Sequence, residues 1–261
     1  MGKGTKEGTA QEIEFVKILN KKEDLNYWKT LSLDPSSHYA IRVIYKKYGE
    51  LNQSKVLPKA DTFIAKGLVD MDYLESKEYF LDEDDVEKFN LVPIKNSGIS
   101  IKRVDSNKYQ IMKMSPSTFK KIFGSNILAS GASIYCTKEI EFIKNSELLD
   151  GWGVSQSKFI SYFNHELDID IESVTEASSK QSLKLIKKFS NDKIAEIINA
   201  DKAISDFIFF GIGNFEEPFT AFWLFEHGEF RANYIIPFKV TTGSGRSKGI
   251  YTVVLKPKKI N

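Results

Sequence analysis

The hydrophobic period changes twice along the chain, and this restricts the fold more than any other feature. Gly98-Ile-Ser-Ile-Lys-Arg-Val alternates apolar and polar residues as a strand does. Lys55-Val-Leu-Pro-Lys-Ala-Asp-Thr-Phe-Ile-Ala reads as an extended segment entered through Pro58. Between about 130 and 203 the spacing is helical, carried by Phe159, Tyr162, Phe163 and Leu167 and then by Leu183, Ile186, Phe189, Ile194 and Ile198. From Phe207 strand patterns return at 207–211, 219–225, 230–238 and 250–255, with a turn at His227-Gly228. Strands toward both ends around a helical middle predict an α/β protein. Its central mixed β-sheet is flanked by helices, and a C-terminal strand region extends it.

Shorter signals fill in the rest. Thr9 with Glu12 three residues on is a capping-box pattern and predicts a helix over 9–22, with Ile13, Phe15, Val16 and Leu19 on its apolar face. Ile41, Ile44, Tyr45 and Tyr48, closed by Gly49, predict a second helix after Ser36. The acidic stretch 71–90 reads as an insertion, 109–114 as a third strand, and 115–124 as a short helix with Pro116 near its start and Gly124 after its end. A single domain over 1–261 is expected, with a core over about 9–124 and a helical plus β-hairpin region over about 130–261.

Composition excludes several classes. With 261 residues, 41% of them hydrophobic and 28% charged, the chain is neither disordered nor collagen-like. Its longest apolar runs are far short of the roughly 20 residues that cross a bilayer. The N-terminal residues are polar, so a cytoplasmic, bacterial location without membrane association is expected. One cysteine, Cys136, makes neither an intramolecular disulfide nor a sulfur-ligated metal site. The three histidines lack zinc-hydrolase spacing, and neither a dinucleotide fingerprint nor a phosphate loop is present, so no nucleotide cofactor is expected. The net charge is only +2, but 71–90 is strongly acidic whereas 95–121 and 239–261 are basic. A polarised face suited to a polyanion follows, or else ordinary solvated faces.

Side chains alternate along a strand, so Ser100 and Lys102 share a face while Ile99 and Ile101 point the other way. An acid on the neighbouring extended segment, Asp61, can then meet a lysine. Metal-dependent phosphodiester hydrolysis needs such a grouping: a carboxylate for Mg²⁺, further oxygen ligands, and a cation beside the attacking water and the phosphate. Pro58-Lys-Ala-Asp61 and Ser100-Ile-Lys102 together resemble the PD-(D/E)XK nuclease superfamily. The run from Gly98 through Tyr109-Gln-Ile-Met-Lys-Met-Ser-Pro116 resembles in particular the active-site region of type II restriction endonucleases. Two departures stand out: Asp61 is separated from Pro58 by two residues, and Ser100 occupies the position of the second acid.

The resemblance implies a restriction-endonuclease-like core and a Mg²⁺-dependent, sequence-specific endonuclease. Its products would be 5′-phosphate and 3′-hydroxyl ends of double-stranded DNA. Asp61, the Ile101 carbonyl and Glu12 would hold the metal, Lys102 would act on the attacking water, and Ser100 would hold a metal-bound water. Glu12 either supplies the missing acid or only closes the capping box with Thr9. Arg246, Lys248 and Ser244, in the glycine-rich stretch 241–249, either enter a DNA groove or form a plain exposed hairpin loop, and Lys113, Ser117 and Lys120 are further candidate DNA contacts. A palindromic target would favour a homodimer. A nonspecific repair or recombination nuclease, and a DNA-binding module without catalysis, are the alternatives.

Overall fold

A computed structural model describes residues 3–44, 58–102, 109–134, 147–168, 180–232, 234–244 and 251–258. They fall into two compact units, Met1–Ser106 with Asp206–Ile235, and Asn107–Ser205 with Ile236–Asn261. This division does not follow the expected boundary between 124 and 130.

The first unit is built on a six-stranded mixed sheet, with helices beside it. Helices α1 (Lys3–Lys21) and α2 (Leu25–Leu31) lead into β1 (His38–Arg42) and β2 (Thr62–Lys66). Two short helices, α3 (Met71–Ser76) and α4 (Glu83–Lys88), precede β3 (Val92–Pro93) and β4 (Ile99–Ile101). The chain returns to this unit for β6 (Trp223–Glu226) and β7 (Glu229–Ala232). The strand order is β1-β2-β4-β6-β7, with β3 also on β2; β4 and β6 are parallel and the other pairs antiparallel. An α/β fold with a mixed sheet is therefore present, as the periodicity predicts.

Several local expectations are corrected. Residues 38–42 form a strand, not a helix. All five are buried, so neither face of this segment carries the solvent stripe that a surface helix needs. Residues 45–49, the remainder of that expected helix with its Gly49 end, lie outside the described residues. Helix α1 begins at Lys3, which leaves Thr9 in its interior, and the Thr9–Glu12 capping box does not form. The acidic stretch holds α3 and α4, capped by the Asp70 and Asp82 carboxylates. Residues 207–210 end helix α10 (Lys202–Phe210) and are not a strand, because an apolar run buried on several sides has no period to tell the two apart.

In the second unit β5 (Met112–Met114), β9 (Tyr251–Pro257) and β8 (Phe238–Ser244) form a separate antiparallel sheet in that order. The third expected strand thus pairs with β9 and does not join the sheet of Asp61. Between β5 and β8 the described residues are mostly helical: α5 (Pro116–Phe123), α6 (Ile127–Ser133), α7 (Glu147–Gly151), α8 (Gln156–Leu167) and α9 (Lys180–Ala200). Helix α5 has the expected ends, Ser115 accepting the Thr118 amide and Gly124 in the left-handed region. The expected strand 230–238 is split, β7 ending at Ala232 and β8 opening after Pro237 in the other sheet.

Helix α1 positions the first unit's sheet in two ways. Phe15 stacks on Phe225 of β6 at 4.1 Å between ring centroids, within a cluster that includes Tyr27 and Phe230. Asn20 reaches the outer edge of β1, where its amide donates to the Ala40 carbonyl (2.8 Å) and accepts the Ala40 N–H (2.9 Å). Asn20 thereby covers the middle of this edge strand, and the Tyr79 carbonyl, which accepts the Arg42 N–H at 2.7 Å, covers its end. Replacement Asn20→Leu strands both Ala40 groups, and a loss of about 2–4 kcal/mol in urea unfolding is expected; an unchanged midpoint contradicts this role.

Candidate active site

The candidate site begins where β2 and β4 meet. Their register sets Thr62 opposite Ile99, which puts Asp61 across from Ser100. The Asp61 N–H donates to the Ile99 carbonyl at 2.8 Å, and its carboxylate accepts the Ile101 N–H at 2.7 Å. The same carboxylate oxygen accepts the Ser100 hydroxyl at 3.3 Å, and Lys102 Nζ donates to that hydroxyl at 2.6 Å. Asp61, Ser100 and Lys102 therefore form one hydrogen-bonded chain. Ser100 is only 4% exposed, and its single proton goes to Asp61. It joins the acid to the lysine.

β4 is fixed from its N-terminal side. A Cβ at Gly98 would lie 1.8 Å from the Thr220 carbonyl oxygen, so only glycine permits this approach of the two backbones. The Gly98 carbonyl accepts the Trp223 N–H at 2.9 Å, which starts the parallel pairing with β6.

Around this chain the electrostatics are frustrated. Burial pushes the Asp61 carboxyl above the usual carboxylate range, opposed by Lys102, the Ile101 N–H, Ser100 and Lys59. Glu12 stands on α1 one turn before Phe15, and burial together with the charge of Asp61 raises it to about 7, against the pull of Arg42 and Lys102. Both acids resist being charged together.

Sequence reading missed three contributors. Lys59, inside the proline–acid segment, is lowered to about 7 by burial and by the charge of Lys102, with Asp61 opposing. Its stem fits over Gly211, where a Cβ would come within 2.7 Å of Lys59 Cγ. Arg42 is 6% exposed and donates to the Glu78 carbonyl at 3.0 Å while acting on Glu12. Tyr234 shares a hydrogen bond with Ser100, and burial and the Asp61 charge raise its phenol. The position of Lys59 in the motif was the only local signal among these; Arg42 reaches the site through the pairing of β1 with β2, and Tyr234 from the chain that follows β7.

The other expected residues are distributed differently. Lys113, Ser117 and Lys120 are exposed on the second unit, not the one that carries Asp61. Arg246 and Lys248 lie outside the described residues, as does Cys136, whereas Ser244 ends β8 and its side chain is not described. The expected loop 241–249 is shorter than the sequence suggests, since Thr241 to Ser244 pair with β9. Comparison with protein-family models, with curated proteins and with solved structures finds no match.

Asp61 and Glu12 are the hard oxygen donors that could hold a divalent cation, which would relieve their mutual repulsion, although among the described residues no cluster of three or more His, Cys, Asp or Glu forms. Without a cation, Glu12 costs stability once it ionises. Its folded-state value lies above that of the unfolded chain, so stability falls as pH rises from about 4.5 to about 7. Glu12→Gln is therefore expected to stabilise the metal-free chain by roughly 1–3 kcal/mol at pH 8 and by nothing below pH 4.5; urea titrations giving equal gains at both pH values contradict the assignment.

Proposed function

We propose that this chain is a Mg²⁺-dependent endonuclease acting on double-stranded DNA. The observation that carries the reading is the hydrogen-bonded chain from Lys102 through Ser100 to Asp61, which gathers at one end of the paired interior strands β2 and β4 the acid and the lysine that phosphodiester hydrolysis requires. The α/β fold with a mixed sheet is compatible with this reading, and the assignment to a site-specific enzyme of the type II restriction class rests on the sequence resemblance.

Asp61 and Glu12 would hold the metal with the Ile101 carbonyl as a further ligand, and a bound Mg²⁺ would polarise the phosphate and acidify its water. The protein's own residues do the remainder. Asp61 is held by the Ile101 N–H, so its carboxylate is oriented before any ligand arrives. Lys102, fixed through Ser100, sets an ammonium beside the attacking water and offsets the charge that grows on the phosphate oxygens. Lys59 adds a second cation on that side, and its repulsion with Lys102 is relieved by an anionic phosphodiester. Water attack breaks the bond from phosphorus to the 3′ oxygen. The water proton leaves to solvent or a nearby base, the 3′ oxygen takes up a proton, and the 5′-phosphate remains on the other fragment. A homodimer would match a palindromic target.

Ser100, at the position of an acid in the nuclease pattern, favours the second reading, a DNA-binding module that lacks catalysis. Incubation with unmethylated bacteriophage DNA separates the two. Discrete fragments are expected with Mg²⁺ and none with EDTA, and Asp61→Asn or Lys102→Ala is expected to lower the rate about 10²–10³-fold. Smearing points to a nonspecific nuclease, and DNA left intact by a folded, DNA-binding chain contradicts the enzyme.

A further inference from the structure

Charge is divided unequally between the two units. The unit that carries Asp61 has 18 Lys and Arg against 23 Asp and Glu, a net of −5, while the other has 19 against 12, a net of +7. The surplus of positive charge that attracts a polyanion therefore lies in the second unit. The basic unit has a place for one.

Helix α9 and the edge strand β8 enclose a groove of about 730 Å³. Its lining includes Lys184, Lys187, Lys188, Lys239 and Lys258, with Asp192 as the one carboxylate. Asp192 is itself engaged by Lys188 at 2.8 Å. Lys184, Lys187 and Lys188 fall at i, i+3 and i+4 on α9, so they stand on one side of the helix within about 6 Å of rise. Lys239 lies on β8, and Lys258 follows β9 with its N–H on the Pro237 carbonyl at 2.7 Å. Buried Phe238 and Val240 form an apolar floor beneath them. Lysine stems can lie along such a floor while the ammoniums project. A concave row of ammoniums over an apolar floor, with its one carboxylate already neutralised, matches a repeating anion whose charges are a few ångströms apart.

We propose that this groove seats the phosphodiester backbone of duplex DNA. The choice of duplex DNA among polyanions rests on the nuclease reading, whereas the groove's preference for a polyanion does not. The lysines meet phosphates, so binding is sequence-independent and strongly dependent on salt.

The test is fluorescence anisotropy of a labelled duplex with the full chain in EDTA, titrated across sodium chloride concentrations. Lys184→Gln, Lys187→Gln, Lys239→Gln and Lys258→Gln combined are expected to weaken binding at least tenfold at moderate salt. The slope of log affinity against log salt should fall by about 0.9 for each phosphate that the variant no longer neutralises. The fourfold Lys→Arg variant, which keeps the charge, is expected to bind like the parent, and single Lys239→Gln to give a partial loss if the fourfold variant unfolds. Affinity and slope unchanged in a folded fourfold Gln variant overturn the site. A parent chain that binds duplex no better than polyglutamate of equal charge overturns the occupant. Tight binding that disappears with the lysines, but no cleavage in Mg²⁺, upholds the groove and sinks the nuclease reading, so the two failures are distinguishable.

Discussion

Asp61 is held to β4 twice, by its main-chain N–H on Ile99 and by its carboxylate on the Ile101 N–H, and the arrangement of the first unit depends on that register. A shift of β4 by one residue would turn Ser100 and Lys102 to the opposite face and bring Ile99 or Ile101 against the acid. The molecule resists this slip at both ends of the strand. Gly98 lies against the Thr220 backbone at a distance no other residue tolerates, and the Lys102 N–H donates to Phe225 at 2.9 Å. What is fixed is not comfortable: two carboxylates and two lysines sit where burial disfavours the charge of at least three of them. Sites that break the general rules of folding in this way are commonly sites of function.

Helix α1 links the core to the chemistry. Its Phe15 packs on Phe225, the residue paired with Ile101, so the packing that anchors the helix also sets the height of Glu12 one turn earlier. Asn20, further along the same helix, covers the middle of the edge of β1, whose last residue is Arg42. Arg42 then acts on Glu12. Stability and site geometry are therefore carried by the same elements, α1 with β1, β2, β4 and β6.

Features with a local cause were legible in the sequence. The alternation at Gly98-Ile-Ser-Ile-Lys placed Ser100 and Lys102 on one face, Ser115, Pro116 and Gly124 marked the ends of α5, and His227-Gly228 marked the β6–β7 turn, where both residues adopt positive φ. Features that depend on tertiary burial were not. Ile41 and Ile44 have a spacing that suits a helix, but burial on both faces makes residues 38–42 a strand. The run 207–210 has the opposite history, because its aromatic residues suit a strand and it ends a helix. Arg42 reaches the acid cluster through the pairing of β1 with β2, and Tyr234 reaches it from the chain beyond β7, both far from Asp61 in sequence. No one-dimensional pattern marks them.

On the proposed function, Asp61 and Glu12 would hold a divalent cation beside the Lys102–Ser100 pair. Titration calorimetry of the metal-free chain with Mg²⁺, in buffers of different ionisation heat, tests it most directly. Acids held partly protonated must release those protons when a cation binds. The account predicts saturable Mg²⁺ binding that ejects protons, more at about pH 6.5 than at about pH 8, and that is abolished in Asp61→Asn. Binding that releases no protons and survives Asp61→Asn would contradict it.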